Sequence, residues 1–308
     1  MKSNKSRLAP SPTGALHIGN AFAFVINWAL AKKKQWELLF RMEDLDGPRK
    51  KLETIQESID ILIWLGLTWD GPVHIQSDDL SQCKHALEEL IRQDNAYHCC
   101  LSRAEIEESS LAPHTKLALH DGSIRPVDIS KHNASHDNSH SNWRFCSSGN
   151  SRTIKDTLSG NMEFKVTDDF VIWTKSNMPS YQLAVIVDDH RQGITDVVRG
   201  KDLLQSAAWQ EELYEALGWE APRWWHLPLI VGPDGKRLAK RHGDSRISSY
   251  KTQGVSSERI IGLIANWCGV STTLEPMSLD SFLQHFTLMH LPTTNITFSQ
   301  KEELWLRG

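Results

Sequence analysis

The chain has 308 residues, of which 40% are hydrophobic and 23% charged, and its formal net charge is −4. This balance is typical of a globular protein with one large or two ordinary domains. The acidic charge disfavours a generic nucleic-acid binder, although it is compatible with local basic patches. No apolar run reaches the ~18 residues of a membrane span, so we expect no membrane association.

The N-terminal segment and the cysteines bear on the location of the protein. The segment MKSNKSRLAPSP is basic but has no apolar core of the kind found in secretory signals. The cysteines are odd in number and scattered: Cys83, Cys99, Cys100, Cys146 and Cys268. They predict reduced thiols and a cytoplasmic protein rather than a disulfide framework. Nothing in the sequence requires more than a monomer.

The first hundred residues alternate between strand-like and helix-like segments. Strands are predicted over 4–9 and 36–44, and apolar spacing predicts helices over 19–34, over 52–67 with a stop at Gly66, and over 80–93. This alternation predicts an α/β fold with a parallel sheet and crossover helices.

The remainder of the chain is more mixed. The polar stretch at 131–142 is interpreted as a solvated loop rather than a histidine metal site, because no cysteine or carboxylate pattern accompanies it. Strands are predicted over 170–173, 181–189 and 226–231, helices over 203–218 and from Ser256 or Ser257, and a basic loop over 232–244. The pattern predicts a nucleotide-binding domain with a mixed insertion and a small helical C-terminal region.

Two segments have the chemistry of a phosphate site. RLAPSPTGALHIGN (7–20) follows the first strand and opens a helix, whose N-terminus favours phosphate, while Gly19 permits close approach and His17 offers a donor. KRLAKRHG (236–243) is a basic loop that could close over a triphosphate. Taken singly, the first could be an ordinary βα loop and the second a solvated charge run.

Together the two segments resemble the HIGH and KMSKS signatures of class I aminoacyl-tRNA synthetases. RMEDLDGPR (41–49), YQLAVIVDDHRQGITDVVRGKDL (181–203) and HLPLIVGPDGKRLAKRHG (226–243) are similar to the glutamyl-tRNA synthetase branch. The resemblance covers residues 5 to about 250 and is weakest between 104 and 160. The length matches the truncated paralogues in this branch, the glutamyl-queuosine tRNA(Asp) synthetases.

The resemblance implies a class I Rossmann-type sheet and a set of domain limits. The catalytic domain would comprise 1–98 and 179–245, the inserted subdomain 99–178, and the helical C-terminal region 246–308, with no anticodon-binding domain. Glutamate would be held by one group of residues: Arg7, Leu8, Ala9, Pro10, Ser11, Glu43, Tyr181 and Arg199. ATP would be held by a second group, in which His17 and Lys240 are catalytic: His17, Gly19, Asn20, Arg237 and Lys240.

Each assignment at the amino-acid site has a structural alternative. Two arginines suit the two carboxylates of glutamate, and Glu43 suits its ammonium group, but which arginine takes which carboxylate stays open. Glu43 could instead form a surface ion pair within RMEDLDGPR. Tyr181 could be a strand-packing residue, and Arg199 could pair with Asp188 or Asp189.

The implied reaction is attack of a glutamate carboxylate on the α-phosphorus of ATP, followed by transfer of glutamate to the queuosine base in the anticodon of tRNA(Asp). Catalysis would consist of positioning and charge stabilisation, with Mg²⁺ bound to the ATP phosphates. The family resemblance also implies that truncated members activate glutamate without tRNA, unlike ordinary glutamyl-tRNA synthetases. Two alternatives remain, ordinary charging of the tRNA 3′ end and an inactive tRNA-binding paralogue. We expect the insertion (about 100–180) and the surface from Arg237 to Arg246 to contact RNA.

The sequence departs from the family pattern at several positions. Ala239 replaces a serine of the basic loop, and Asn20 replaces the second histidine of the first motif. Leu101 and Ile124 occupy two cysteine positions of the zinc site in many relatives, so we expect no such zinc. A rearranged site of His98, Cys99, Cys100, His114 and His120 is the alternative. Val185 stands where full-length relatives carry an asparagine beside the amino acid.

Overall fold

The alternation of strands and helices predicted for the first hundred residues is confirmed. The computed structural model describes residues 3–12, 15–45, 52–101, 125–135, 141–236, 238 and 244–308. Its strands are β1 (Lys5–Leu8), β2 (Glu37–Met42), β3 (Val73–Ile75), β4 (Ala96–Cys99), β5 (Asn142–Phe145), β6 (Ser151–Asp156), β7 (Gly160–Lys165), β8 (Phe170–Thr174), β9 (Met178–Pro179), β10 (Asp196–Gly200), β11 (Arg223–Leu227), β12 (Ile230–Val231) and β13 (Ile296–Thr297).

The helices connect these strands and form most of the C-terminal region. They are α1 (Ile18–Lys34), α2 (Leu52–Trp64), α3 (Ser81–Arg92), α4 (Ile129–Ser135), α5 (Tyr181–Gln192), α6 (Leu204–Ala216), α7 (Ile247–Thr252), α8 (Ser257–Trp267), α9 (Leu279–His285) and α10 (Gln300–Arg307). None of the helices described combines the length and apolar character needed to cross a lipid bilayer.

Two sets of parallel strands meet at the centre of the molecule. β1, β2 and β3 form one set in that order, and β10 pairs with β11 in the other. β1 and β10 lie side by side, and the Thr195 N–H donates to the Lys5 carbonyl at 3.0 Å. The chain order therefore reverses between β1 and β10, and ligands of open α/β sheets bind beyond the carboxyl ends of the strands at such a point.

The middle of the chain supplies antiparallel structure. β4, β5, β8 and β9 form a separate four-stranded sheet. The hairpin of β6 and β7 instead extends the second parallel set beyond β11. The mixed insertion is thus joined to the central sheet through β6, while the domain limits at residues 98, 178 and 245 stay predictions.

The strand predicted over residues 181–189 is wrong, because this segment is helix α5. Its central residues, from Leu183 to Asp189, are all buried, so the helical alternation of apolar and polar residues is missing. The sequence does carry a stop signal for a helix, since His190 and Arg191 precede Gly193, which has a φ of 68°.

Two further local predictions need correction. The polar stretch at 131–142 is not entirely loop, since α4 includes its first residues. Asp128 starts this helix by accepting the Lys131 N–H at 2.9 Å. The strand predicted over 226–231 is divided between β11 and β12. Pro228 lies at the break, where it can donate no backbone hydrogen bond.

The core consists of two clusters of buried apolar side chains. One cluster joins α1 and β2 to the C-terminal helices, and Phe22 of α1 meets Trp267 of α8 edge to face at 6.2 Å. The other joins α3, α5 and α6 to β8 and β10. These packed helices fix β1 and β10 on both sides and so define the position of the strand ends between them.

Candidate active site

A cavity of about 530 Å³ opens at the carboxyl ends of β1 and β10. Most of the predicted site residues line it: Arg7, Ala9, Pro10, Ser11, His17, Gly19, Asn20, Glu43, Tyr181 and Arg199. Leu8 does not line the cavity, because its fully buried side chain belongs to the core. Val185 is also buried in the core. Arg237, Ala239, Lys240 and Arg241 lie outside the described residues.

His17 begins helix α1 at the edge of the cavity. Nδ1 of its ring accepts the backbone N–H of Gly19 at 3.1 Å, and the backbone N–H of His17 donates to Oδ1 of Asn20 at 3.0 Å. This reciprocal capping box accounts for the asparagine at the end of the first motif. The same contacts fix the imidazole beside the helix N-terminus, where an anion is stabilised.

Arg7 and Arg41 share one carboxylate on helix α5. Nε of Arg7 lies 3.0 Å and Nη1 of Arg41 2.7 Å from Oδ1 of Asp189. Burial raises the pKa of Asp189, but the two guanidinium groups outweigh it and hold that pKa below its usual value. Arg7 therefore lines the cavity as part of a fixed ionic network rather than as a mobile side chain.

Glu43 follows β2 and faces the cavity. Its Oε1 accepts a hydrogen bond from Nη2 of Arg41 at 2.8 Å, so the ion pair considered as an alternative for Glu43 is present. It is not a surface pair, since the Glu43 side chain is 12% exposed and Arg41 is fully buried. The Glu43 N–H also donates to the Pro10 carbonyl at 2.9 Å, which ties this loop to the one after β1.

Arg199 has a different environment from Arg7. Its guanidinium donates to Nε2 of His226 at 3.1 Å, to the Leu203 carbonyl at 3.2 Å and to the Tyr181 hydroxyl at 3.4 Å. Within the described ranges it forms no ion pair with Asp188 or Asp189, the two partners considered as its alternative. Burial lowers the pKa of Arg199 from its ordinary value, but arginine remains charged at neutral pH. The cavity therefore contains a buried positive charge whose hydrogen-bond partners are uncharged.

Sequence reasoning missed two residues behind this arginine. Nδ1 of His226 lies 2.8 Å from Oδ2 of Asp156, and both side chains are fully buried. His226 is part of the segment HLPLIV, for which the sequence predicts a strand but no site residue. One feature of the sequence could have identified His226: it is a polar residue at the start of a buried strand that leads into a signature loop.

The exit of the basic loop lies beside the first motif. The Ile18 N–H donates to the Ser245 carbonyl at 3.0 Å, and the Ile247 N–H donates to the Leu16 carbonyl at 2.8 Å. The residues that directly follow the second signature segment are therefore neighbours of the first segment.

The described part of the alternative, rearranged metal site does not have the arrangement of a zinc site. His98 and His132 stack with centroids 4.2 Å apart, Cys99 is buried, and all five cysteines are free thiols. Among the residues described, no three His, Cys, Asp or Glu side chains form a metal-binding group. His114, His120 and Ile124 lie outside the described residues, so the absence of zinc stays a prediction.

Fold and site together define a class I synthetase catalytic domain, with a sheet that reverses its order beside the first signature segment and the residues that follow the second. Comparison gives the same result, since residues 4–305 match the family described as tRNA synthetases class I (E and Q), catalytic domain. The chain belongs to this family.

Its relatives fall into two groups of different length. A glutamate–tRNA ligase of Azorhizobium caulinodans is 36% identical, and the match covers 92% of this chain but 60% of that protein. A glutamyl-Q tRNA(Asp) synthetase of Rhodopirellula baltica is 37% identical, with 94% of this chain and 90% of that protein covered. A crystal structure of a glutamate tRNA ligase from Elizabethkingia meningosepticum in complex with its amino acid superposes with a TM-score of 0.82 at 26% identity, over 99% of this chain and 69% of that one.

Proposed function

We propose that this chain activates L-glutamate with ATP and transfers it to the queuosine base of tRNA(Asp). The observation that carries the proposal is Arg199, a buried guanidinium in the cavity that donates hydrogen bonds to a neutral imidazole, a hydroxyl and a carbonyl. A buried charge of this kind is stabilised by a ligand of opposite charge, and a carboxylate matches the forked geometry of arginine.

The remaining cavity residues suit the other charges of glutamate. Arg7 offers a second guanidinium, fixed by Asp189, and Glu43 offers a carboxylate to the ammonium group. Tyr181 also lines the cavity and accepts a hydrogen bond from Arg199. Burial raises the pKa of its hydroxyl, so it remains a neutral hydrogen-bond donor. Arg7, Arg199 and Glu43 thus complement the two carboxylates and the ammonium group of glutamate, and Asp202 also lines the cavity.

The ATP would lie towards helix α1. The amide groups at the start of this helix and the fixed imidazole of His17 favour the α-phosphate, and Gly19 leaves room for it. Lys240 would hold the leaving phosphates. Mg²⁺ would enter with the nucleotide and be held mainly by its phosphates. The chain itself supplies no covalent nucleophile and acts through position and charge.

The match to glutamyl-Q tRNA(Asp) synthetases supports transfer to the tRNA base rather than to the 3′ end. The chain spans 90% and 93% of the glutamyl-Q tRNA(Asp) synthetases of Rhodopirellula baltica and Symbiobacterium thermophilum. It spans 52% and 60% of the glutamate–tRNA ligases of Parvibaculum lavamentivorans and Azorhizobium caulinodans. Ordinary 3′-end charging remains the competing activity because those ligases are equally similar in sequence. We further propose a cytoplasmic monomer.

The experiment is a transfer assay with labelled glutamate and native tRNA(Asp) from which the 3′-terminal adenosine has been removed. This substrate cannot be charged at its 3′ end but keeps the modified base. Label recovered in the anticodon fragment is the expected result, and an unmodified transcript of the same tRNA is the matched control. Transfer only to intact tRNA, with label at the 3′ end, would establish ordinary charging instead.

A further inference from the structure

We propose that His226 and Asp156 are positioning residues that orient Arg199 and keep its positive charge available to a carboxylate of the substrate. The inference rests on the proposed function and deepens it. Three elements contribute, since Asp156 ends β6, Arg199 lies on β10 and His226 lies on β11. The chain of contacts runs from Asp156 through His226 to Arg199, whose guanidinium lines the cavity.

Asp156 is held as a hydrogen-bond acceptor. Its Oδ1 accepts the Leu158 N–H at 3.0 Å and the Ser159 N–H at 2.7 Å, and its Oδ2 accepts the His226 N–H at 2.9 Å. Burial raises the pKa of Asp156, but these hydrogen bonds and His226 outweigh it, so the pKa lies below its usual value. An ionised carboxylate has no hydrogen to donate.

The contacts of the His226 ring therefore determine which of its two nitrogens carries the hydrogen. Nδ1, 2.8 Å from Oδ2 of Asp156, must carry the hydrogen because the carboxylate only accepts. Nε2 is then unprotonated, and its lone pair accepts the Nε–H of Arg199 at 3.1 Å. A carboxylate that fixes the tautomer of a histidine in this way also fixes the orientation of its ring.

The choice of an imidazole rather than a carboxylate next to Arg199 has an electrostatic consequence. A neutral acceptor fixes the direction of the guanidinium without neutralising its charge. Arg7, by contrast, contacts Asp189 directly. The two arginines of the cavity are thus held by different partners, Arg7 by a carboxylate and Arg199 by a neutral imidazole. Arg199 therefore keeps its positive charge available to an anionic ligand.

The first test measures glutamate-dependent pyrophosphate exchange in Asp156→Asn, His226→Leu and His226→Gln. Asp156→Asn keeps a single side-chain oxygen for the four N–H groups that the carboxylate accepts, and its NH₂ only donates. The ring of His226 then loses the acceptor that fixes its tautomer and orientation. We expect KM for glutamate to rise about tenfold or more in Asp156→Asn and His226→Leu, because a hydrogen bond to a charged group is lost. KM for ATP should stay unchanged, and His226→Gln, which keeps an acceptor, should remain within about threefold of the wild type.

Asp196→Asn is the matched control. Asp196 is likewise fully buried and begins β10, but it contacts Arg223 and Trp225 rather than the cavity. It should leave KM for glutamate unchanged. Equal effects of Asp196→Asn and Asp156→Asn, or an unchanged KM for glutamate in both Asp156→Asn and His226→Leu, would overturn the proposed role.

The second test does not depend on activity. ¹⁵N NMR of the histidines at pH 7.5 identifies His226 as the signal absent from His226→Gln and reports its tautomer. A neutral ring with hydrogen on Nδ1 is expected, and a charged ring or hydrogen on Nε2 would overturn the inference whatever the activity. If the wild type lacked glutamate-dependent exchange, the proposed function would fail, and the tautomer would still decide how Arg199 is positioned.

Discussion

Arg41 donates a 2.8 Å hydrogen bond to Glu43 while its guanidinium is fully buried behind the cavity. The same side chain contacts Asp189, which also pairs with Arg7. Burial lowers the pKa of Arg41, but Asp189, Glu43 and Asp188 outweigh this effect and raise it. One buried cation therefore fixes two residues of the proposed amino-acid site, and neither signature motif contains it.

Replacement of Arg41 should destabilise the fold. Arg41→Gln would leave Asp188 and Asp189 buried with less compensating charge, and removal of one partner of a buried pair costs about 3–5 kcal/mol. Urea unfolding followed by circular dichroism measures this loss. Lys5→Gln breaks the half-exposed pair with Glu37 and serves as the control, with an expected change of ~1 kcal/mol or less. Similar midpoints for the two variants would show that the buried network is not important for stability.

Gly19→Ala should impair catalysis more than folding. A Cβ at this position would lie 3.0 Å from Cε1 and 3.1 Å from Nδ1 of His17, which is closer than normal van der Waals contact. The imidazole must then move, and misplacement of a transition-state donor lowers kcat by about 10²-fold. Pyrophosphate exchange gives kcat, and thermal unfolding tests the fold. A Gly19→Ala variant with wild-type kcat would argue against a catalytic position for His17.

Glutamate binding should weaken in acid because of His226. Burial lowers the pKa of this histidine, and Arg199 acts in the same direction, whereas Asp156 and the Leu203 carbonyl act against it. The neutral ring accepts from Arg199, whereas the charged ring cannot. KM for glutamate should therefore stay constant down to the ordinary histidine pKa of about 6.5 and rise only at lower pH, where the folded chain takes up the proton on His226. His226→Gln should not show this rise, and an identical pH profile in that variant would assign it to another group.

The same titration predicts a change in stability. Because the pKa of His226 is lower in the folded chain, the unfolded chain takes up the proton first as the pH falls. The contribution of neutral His226 to the free energy of unfolding is thus fully present above the ordinary histidine pKa. It is lost as the pH falls through the pKa that His226 has in the folded chain. The difference in unfolding free energy between wild type and His226→Gln should shrink in this range, and a difference that grows on acidification would contradict the assignment.

The C-terminal helix should influence ATP binding through Arg307. Nη2 of Arg307 donates to the Asp244 carbonyl at 3.2 Å, and its guanidinium lies 5.0 Å from the Tyr250 ring centroid. Asp244 immediately precedes Ser245, which bonds to Ile18 beside His17. Arg307→Gln should raise KM for ATP several-fold without changing KM for glutamate. Lys301→Gln, an exposed change on the same helix, is the control, and equal ATP kinetics in both variants would show that the contact has no such role.

The residues of the cavity could be predicted because most of them lie in continuous sequence motifs at the ends of strands. Asn20 illustrates what it could not supply, since its role as the partner of His17 in the capping box depends on helix geometry. Arg41 and His226 were missed because they act from behind the cavity, through contacts between residues far apart in the chain. The error at α5 has a similar origin, because burial of the whole segment by other elements removed the periodic signal.

The most direct measurement is glutamate-dependent exchange of pyrophosphate into ATP by the purified chain in the absence of tRNA. We expect exchange with glutamate and its loss in Arg199→Ala, because the family resemblance implies that truncated members activate glutamate alone. Exchange that appears only after tRNA is added would indicate an ordinary glutamyl-tRNA synthetase activity. A folded chain without exchange under either condition would contradict the proposal that this cavity activates glutamate.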